Sequence, residues 1–287
     1  MKLSIIIPCL NAGDKIGEQL EALAAQNWSG QWEVIVSDNG SNDGSLKVVE
    51  QFRGRFPDLR VVDSSDVRGA AHARNAGCGV ATGDAFLFCD ADDVVGEGWM
   101  DAMAKALSDH DFVAGPFEGE KLNRTGELQG RKVPQRNGIQ KYDYPDYLPH
   151  AGAGNLGVKR TVHESVGGFD ESLPRLMDTD YCWRIQLAGT KLHFAPEAVL
   201  HMRLRSSTGG SLRQARLWGK YNVLLYKRYR PLGMPKLSWR KGFNAWRILI
   251  RQIPQLRSRL ELKKWLWQVA WRFGRLEGCL SWRVLAP

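Results

Sequence analysis

The sequence predicts an α/β protein with a mostly parallel sheet that carries helices on both faces, and three features indicate this fold. Short apolar, β-branched runs alternate with segments of helical spacing in the amino-terminal part of the chain. The runs are apolar at consecutive positions, as in parallel strands that are buried on both faces. Polar, turn-forming residues follow the carboxyl ends of the runs, where sheets of this kind bind ligands. The 287 residues, 43% of them hydrophobic, suffice for one such domain and an appendage.

The predicted elements alternate along the chain in a regular order. The first strand, LSIIIP, ends at Pro8, and the second, WEVIVSD, ends at Asp38; the helix GEQLEALAAQ lies between them. LKVVEQF and the small-residue segment GAAHARNAGCGVA are two further helices, separated by a third strand, LRVVDSS. The fourth strand, AFLFC, leads directly into Asp90. Farther along, the glycine-rich HAGAG precedes a strand-like NLGVKR.

Acidic residues follow two of the predicted strands. Asp38 ends the second strand, and Asp90, Asp92 and Asp93 follow the fourth. Because parallel strands end at one edge of the sheet, these carboxylates are expected to converge on a crevice there, where Mg²⁺ or Mn²⁺ would offset their repulsion and bind a diphosphate. The alternative is structural: Asp92 and Asp93 would cap the next helix, and Asp38 and Asp43 would form Asx turns.

The cysteines and the hydropathy of the sequence indicate in which cellular compartment the protein is expected. The five cysteines are odd in number, scattered and without a CxxC pair, which disfavours a disulfide scaffold and fits a reducing cytosol. The apolar start is too short for a signal peptide and is interrupted at Asn11 and Asp14. No stretch reaches about 18 apolar residues, so no spanning helix is expected.

Six short motifs between Leu3 and Arg205 resemble those of a family 2 glycosyltransferase, which is an inverting enzyme of the GT-A fold with a DXD motif. The motifs are SIIIPCLNAG, VIVSDNGSNDGS, RGAAHARNAG, ATGDAFLFCDADD, VGGFDESL and MDTDYCWRIQLAG. The resemblance implies a Rossmann-like nucleotide-binding sheet. It also implies a nucleotide-sugar half at residues 1–115, an acceptor half at residues 116–205 and a separate tail at residues 206–287.

On the donor side, the resemblance assigns the nucleotide to Pro8, Asn11 and Asp38, with Arg74 near the base or the diphosphate. UDP or dTDP is favoured, because Asp38 can accept a hydrogen bond from the imide of the base. Asn39 stands where the family usually has a second Asp. Asp90-Ala91-Asp92 resembles the DXD motif: Asp90 would contact the ribose or a water on the metal, and Asp92 would bind Mn²⁺ or Mg²⁺. His201 would ligate the metal or contact the diphosphate.

On the acceptor side, the resemblance implies a sugar pocket at Gly154, Asn155, Gly168, Phe169 and Asp170. Asp178 matches the catalytic base of the family, with Asp180 as the alternative, and Met177 occupies a position that is usually Glu. Such a base would deprotonate the acceptor hydroxyl while that oxygen attacks the anomeric carbon. A single displacement of this kind inverts the anomeric configuration.

The tail differs in charge from the rest of the chain. Residues 206–287 contain 18 Lys and Arg, two acidic residues and seven of the 11 Trp, so the tail carries +16 and the remainder −7. One predicted helix has an apolar stripe, comprising Leu262, Trp265, Leu266, Val269, Phe273, Leu276 and Leu280. Trp267 and Trp271 fall among basic residues on the other side, which suits an anionic membrane interface. A helical cap on the body and a dimer contact remain alternatives; no motif supports nucleic-acid binding.

These observations predict a cytoplasmic enzyme, peripheral on the inner face of the membrane, that takes part in polysaccharide or glycolipid assembly. It would move a sugar from a nucleotide sugar to a glycan or lipid-linked acceptor. One alternative is a nucleotidyltransferase that makes nucleotide sugars; it needs a basic, phosphate-binding loop, for which the amino-terminal loop offers only Lys15. The other is a non-catalytic scaffold, which Met177 and Asn39 would support.

Overall fold

The computed structural model describes residues 1–124, 133–204 and 208–286, and the chain forms two compact units. The first comprises Met1–Gln140 and Pro149–Leu204. The second comprises Lys141–Leu148 and Arg205–Pro287. The short segment Lys141–Leu148 therefore belongs to the helical unit although it lies within the α/β part of the sequence, and no sequence pattern indicated this.

The first unit is built on a seven-stranded sheet with the strand order β3-β2-β1-β4-β8-β6-β9. Its strands are β1 (Leu3–Cys9), β2 (Trp32–Asp38), β3 (Leu59–Asp63), β4 (Ala85–Cys89), β6 (Phe112–Ala114), β8 (Asn155–Lys159) and β9 (His193–Phe194). The four amino-terminal strands are mutually parallel, whereas β8 runs antiparallel to both of its neighbours, β4 and β6. A smaller sheet orders β5 (Val94–Val95), β10 (Leu200–His201) and β7 (Phe117–Glu118).

Helices cover both faces of the large sheet, as predicted. They are α1 (Ile16–Ala24), α2 (Ser45–Glu50), α3 (Ala70–Val80), α4 (Trp99–Asp109), α5 (Arg160–Ser165) and α6 (Met177–Leu187). Alternate residues of β1 enter two different cores: Ile5 and Ile7 pack with residues of α1, α2 and α4, and Ile6 packs with residues of α3 and α6. The apolar runs of β1, β2 and β4 are therefore nearly continuous because both faces of these strands are buried.

The prediction that Asp92 or Asp93 caps the next helix is wrong. The chain after Asp93 forms β5, and α4 begins only at Trp99, after Gly98 in a left-handed conformation. The acidic residues therefore lie in a connection between two strands. A side-chain cap is not available there to explain them.

The second unit contains three helices, α7 (Thr208–Tyr229), α8 (Trp239–Gln252) and α9 (Arg259–Trp282). Ser258 and Glu261 form a capping box at the start of α9. The helices α7 and α9 touch through glycines: a Cβ at Gly219 would collide with the carbonyl of Trp271, and a Cβ at Gly274 with that of Arg216. Among the described residues, no helix is both long and apolar enough to cross a membrane.

The structure reverses the predicted faces of α9. Gly274, Arg275 and Gly278 are buried, and Trp267 contacts Trp218 of α7 at a ring distance of 6.3 Å. From the predicted stripe, Phe273 is 55% exposed and Leu280 82% exposed. Trp267 and Trp271 are half-buried, and Trp271 packs against Tyr144 within the unit; their contact with a membrane interface stays a prediction. Hydropathy misassigned the faces because the contact with α7 depends on small residues that permit close approach.

Candidate functional site

Asn11 and Asp38 meet at the carboxyl ends of β1 and β2. Cys9 pairs with Asp38 in the parallel register, and Pro8 pairs with Ser37. The backbone amide of Ser41 donates to both carboxylate oxygens of Asp38, each at 3.2 Å, and the Ser41 hydroxyl accepts from the amide of Asn11 at 3.0 Å. Asn11 itself has a positive φ of 50°. The loops after the two strands thus form one hydrogen-bonded edge that includes Asn11 and Asp38.

Arg74 of α3 and Asp90 form an ion pair at the end of β4. Arg74 is 3% exposed, and its Nη2 donates to Oδ1 of Asp90 at 2.5 Å. The guanidinium lies 5.6 Å from the ring centre of Phe169. Within the described part of the chain, Nε and Nη1 of Arg74 are buried and have no hydrogen-bond partner. Two buried donors on a cation, beside a carboxylate that is 38% exposed, are suited to an anionic or oxygen-rich ligand.

Protein contacts hold the segment from Asp90 to Val95 at both ends. Gln19 is fully buried; its amide donates to the carbonyl of Asp90 at 3.2 Å and accepts from the amide of Val95 at 2.9 Å. The amide of Arg203 donates to Asp93 at 2.8 Å, and Nε of Arg203 donates to the carbonyl of Asp92 at 3.0 Å. These contacts fix the backbone from which Asp92 projects.

The three carboxylates of this segment repel one another. Burial raises the pKa of Asp93 well above its usual range, and the negative charges of Asp90 and Asp92 raise it further. The backbone amide and the charge of Arg203 offset this effect only in part. The segment therefore has an excess of negative charge that a bound cation would compensate.

His201 lies beside this acidic segment through the small sheet. In the register of β10, His201 pairs with Val94 on one side and with Glu118 on the other. Nδ1 of His201 is 2.5 Å from Oε2 of Glu118. Burial raises the pKa of the Glu118 carboxyl, but hydrogen bonds from Glu120, His201 and Lys121 outweigh this effect and lower the pKa to about 2. An ionised Glu118 favours a proton on Nδ1, which leaves the lone pair of Nε2 available to a ligand.

The residues fit a divalent cation that a substrate would help to hold. Among the residues that the structure describes, no group of three or more His, Cys, Asp and Glu side chains could hold a metal ion alone. Mg²⁺ and similar ions are usually bound by one or two carboxylates and completed by substrate phosphates. Of the predicted ligands, Asp90 and Asp92 lie in the connection between β4 and β5, and His201 lies on the strand that pairs with β5.

The turn from Gly167 to Asp170 is attached to α3. The side chain of Asn75 donates to the carbonyl of Phe169 at 2.8 Å and accepts from its amide at 2.9 Å. Gly167 and Gly168 both have φ of 71°, a conformation that favours glycine. Phe169 is 2% exposed and stacks on Tyr181 at 4.1 Å, so it is a core residue beneath the expected sugar pocket. Asp170 accepts from the amide of Ser172 at 2.9 Å.

Of the two expected pocket residues at the start of β8, Gly154 immediately precedes the strand and borders Asp90, whereas Asn155 is its first residue and is buried. A Cβ at Gly154 would lie 2.8 Å from Oδ2 of Asp90, so a larger residue would displace that carboxylate. Asn155 is fully buried; its amide donates to the carbonyls of Pro116 and Ala198 and accepts from the indole of Trp99. The geometry therefore gives Asn155 a structural role, and we do not retain its side chain as a sugar contact.

The two candidate bases occupy different environments at the start of α6. Asp180 is 2% exposed and pairs with Nε of Arg184 at 2.8 Å. Arg184 also donates to the carbonyls of Val166 and Gly168, which ties the glycine turn to α6. Asp178 is partly exposed and accepts from the amide of Thr179 at 2.8 Å. Asp180 thus stabilises the fold, and Asp178 is the carboxylate accessible to a substrate.

Four residues of the site were not anticipated from the sequence, namely Gln19, Asn75, Glu118 and Arg203. Asn75 lies within the RGAAHARNAG motif and could have been noticed as a polar residue on a small-residue helix. The contacts of the others with Asp90, His201 and Asp93 span 71, 83 and 110 positions, and no local pattern marks them.

Comparison with known proteins decides the family. The family model described as glycosyl transferase family 2 matches residues 4–167. The chain belongs to this family. A curated family relative, glycosyltransferase AglE of Haloferax volcanii, is 28% identical over 200 residues, which cover 69% of the chain and 65% of AglE. The uncharacterized glycosyltransferase YibD of Escherichia coli is 40% identical over 94 residues. These residues cover 33% of this chain and 27% of YibD.

Solved structures show the same GT-A fold. The mannosyltransferase PcManGT from Pyrobaculum calidifontis, solved with GDP-Man and Mn²⁺, has a TM-score of 0.69 at 17% identity and aligns with 97% of this chain and 87% of its own. S. aureus TarS 1-349, solved with UDP-GlcNAc, has a TM-score of 0.58 at 18% identity, with coverage of 98% and 92%. With the family match, these similarities confirm the predicted family and fold.

Proposed function

We propose that the chain is an inverting glycosyltransferase that moves a sugar from a nucleotide sugar to a glycan or lipid-linked acceptor. The observation that carries the proposal is the pair of Arg74 and Asp90. A buried guanidinium with two unused donors beside a partly exposed carboxylate is an unsatisfied polar site at the edge where α/β sheets bind nucleotides. We assign donor binding to residues 1–115, acceptor binding to residues 116–205 and a separate role to residues 206–287.

The nucleotide is proposed to bind along Pro8, Asn11 and Asp38, with Arg74 and Asp90 at the ribose and diphosphate. UDP or dTDP is favoured, because the carboxylate of Asp38 accepts hydrogen bonds and can take one from an imide N–H. The solved neighbours hold a UDP-sugar in one case and GDP-Man in the other, so the fold accepts both kinds of base. The base must therefore be determined on this chain.

Asp92, His201 and Asp90 are proposed to hold Mn²⁺ or Mg²⁺ together with the diphosphate. When bound, the ion stabilises the charge on the departing nucleoside diphosphate. Support comes from the repulsion among the carboxylates, from the position of His201 on the adjoining strand and from the Mn²⁺ in PcManGT. Glu118 orients His201 as a supporting carboxylate.

The transfer step is proposed to use Asp178 as the general base. Its carboxylate would take the proton of the acceptor hydroxyl while that oxygen attacks the anomeric carbon from the face opposite the leaving group. One displacement inverts the anomeric configuration. The attachment of the Gly167–Asp170 turn to α3 and α6 supports an acceptor pocket at Gly154, Gly168 and Asp170.

Nucleotide binding tests the donor assignment. Titration calorimetry with UDP, dTDP, GDP and CDP, each with and without Mn²⁺, is expected to show Mn²⁺-dependent binding, tightest for UDP or dTDP. Product analysis by NMR with the matching sugar nucleotide then reports the anomeric outcome. Failure of all four nucleotides to bind would contradict the proposed donor site.

The variant Asp92→Ala is expected to weaken nucleotide binding in Mn²⁺ by at least about 100-fold, because loss of a ligand costs more than loss of a supporting partner. Binding without metal is expected to change little. The control is Asp101→Ala, which removes an exposed carboxylate in the first turn of α4. Wild-type Mn²⁺ dependence in Asp92→Ala would remove Asp92 from the metal site.

The acceptor is proposed to be presented at a membrane, in assembly of a surface polysaccharide or glycolipid on the inner face. The helical unit supports this proposal through its basic, tryptophan-rich composition. Peripheral attachment of the enzyme would confine it to a surface that carries lipid-linked acceptors.

A further inference from the structure

One face of α8 presents large apolar side chains to solvent. Trp239, Phe243, Ile250 and Ile253, here termed the α8 stripe, are 63%, 76%, 64% and 50% exposed. Their spacing of four, seven and three residues keeps them on one side of the helix and of the turn that follows it. Exposed apolar surface of this extent marks an interaction site in a folded protein.

The α8 stripe is exposed although α8 is packed against α9. Gly242 and Leu249 of α8 are buried, and the indole of Trp265 on α9 donates to the carbonyl of Leu249 at 2.9 Å. Trp246 contacts Phe273 of α9 at a ring distance of 5.7 Å. The helix is therefore held against α9, and the four side chains of the α8 stripe remain exposed beside that contact.

Exposed cations flank the α8 stripe. Residues 236–264 contain nine exposed basic residues, which are Lys236, Arg240, Lys241, Arg247, Arg251, Arg257, Arg259, Lys263 and Lys264. Among the described residues none of them forms an ion pair, whereas Arg216 and Lys220 elsewhere in the unit both pair with Glu277. The single acidic residue of the segment, Glu261, is engaged in the capping box.

We propose that α8 and the start of α9 dock on an anionic phospholipid bilayer, with the α8 stripe inserted at the level of the headgroups. The charge of the segment complements anionic headgroups, and each Lys or Arg near such a surface adds about fivefold to the affinity. Trp and Phe are suited to this depth, and Ile250 and Ile253 reach toward the acyl chains. At 14 residues α8 is too short to span, so it lies in the plane of the interface.

Charge disfavours the other occupants. A second copy would bring nine unpaired cations against nine, which repel each other. A nucleic acid would engage the cations and could stack on Trp239 and Phe243, but Ile250 and Ile253 offer it neither stacking nor hydrogen bonds. The proposal rests on the membrane attachment proposed above and specifies its surface; it is independent of the proposed donor and base assignments.

Vesicle sedimentation of the full chain tests the proposal. Wild type is expected to sediment with vesicles of phosphatidylcholine and phosphatidylglycerol, to remain in solution with phosphatidylcholine alone, and to dissociate as salt rises. The double variant Phe243→Glu with Ile250→Glu is expected to bind at least about 100-fold more weakly, since burial of two apolar side chains is lost and two negative charges are added. Arg247→Gln with Arg251→Gln should weaken binding about 25-fold.

The matched control is Ile248→Glu. Ile248 is 45% exposed and lies nine residues after Trp239, on the opposite side of α8, so the same kind of substitution adds one negative charge away from the stripe, where the double variant adds two within it. This variant is expected to bind within about fivefold of wild type. Circular dichroism of each variant confirms that the helices are retained. Brominated lipids are expected to quench less fluorescence in Trp239→Phe than in wild type.

Three results would overturn the proposal. The first is wild-type sedimentation of the stripe variant with anionic vesicles. The second is a dimer, detected by ultracentrifugation without lipid binding, that the stripe variant abolishes. The third is binding of single-stranded RNA that the stripe variant abolishes, with no binding to anionic vesicles. Calorimetry with nucleotides on the same preparations keeps this test separate from that of the donor site.

Discussion

Asp178→Asn is expected to abolish sugar transfer and to leave nucleotide binding unchanged. Asparagine preserves the shape of the side chain but cannot take the proton of the acceptor hydroxyl, so the turnover number should fall about 10²- to 10⁴-fold. Asp178 lies in the first turn of α6, where its half-buried carboxylate accepts a hydrogen bond from the neighbouring backbone amide of Thr179. The measurements are turnover at saturating donor and acceptor, and calorimetry with the donor nucleotide.

Asp180→Asn is the matched control, because the same change is made two residues away. It weakens a buried ion pair with Arg184, so the expected result is a loss of unfolding free energy of up to about 3 kcal/mol. Residual transfer should then follow the folded fraction of the protein. If Asp180→Asn remains folded, binds donor normally and has no turnover, the base is Asp180 and our assignment is wrong.

Much of the α/β unit could be predicted because local pattern determines it. The strands β1, β2 and β4 are buried on both faces, so their sequences are largely continuous apolar runs that end where polar loops begin, whereas the edge strand β3 is only partly buried. Asp38 and Asp90 were placed correctly at strand ends for the same reason. Neither residue required knowledge of distant parts of the chain.

The supporting residues of the site could not be predicted from local pattern. Glu118 contacts His201 because β7 and β10 pair in the small sheet. Each of these strands is two residues long, which is too short to show an alternation of apolar and polar residues in the sequence. Arg203 reaches Asp92 and Asp93 across more than 100 positions. Asn155 was misplaced because its glycine-rich surroundings suggested a pocket, whereas the fold buries it among three polar partners.

The helical unit shows a different limit of sequence patterns. A hydropathy stripe identifies the packed face of a helix when the contact is made by large apolar side chains. In α9 the contact is made at glycines, so the stripe points elsewhere and the buried side carries Trp271 and Arg275. A larger residue at these glycines should lower the free energy of unfolding if α7 and α9 touch there, and should raise it if they do not. Such a substitution therefore tests how α7 and α9 are packed.

Gly274→Ala is expected to destabilise the helical unit although alanine favours a helix. A Cβ at Gly274 would collide with the backbone carbonyl of Arg216, which cannot rotate away as a side chain could, and Gly219 makes the reciprocal contact with Trp271. Separation of two helices that touch through backbone should cost about 3 kcal/mol or more, which exceeds the gain of about 1 kcal/mol in helix propensity. Calorimetric unfolding and limited proteolysis within residues 208–286 measure the loss.

The matched control is Gly209→Ala in α7. This glycine is exposed, and no atom lies within 4 Å of a Cβ built there, so only the propensity gain remains and the variant should be stabilised by up to about 1 kcal/mol. The two substitutions are chemically identical and are expected to act in opposite directions. If both stabilise the protein, α7 and α9 do not meet at Gly274, and the outward orientation of Phe273 and Leu280 that follows from this contact would also be lost.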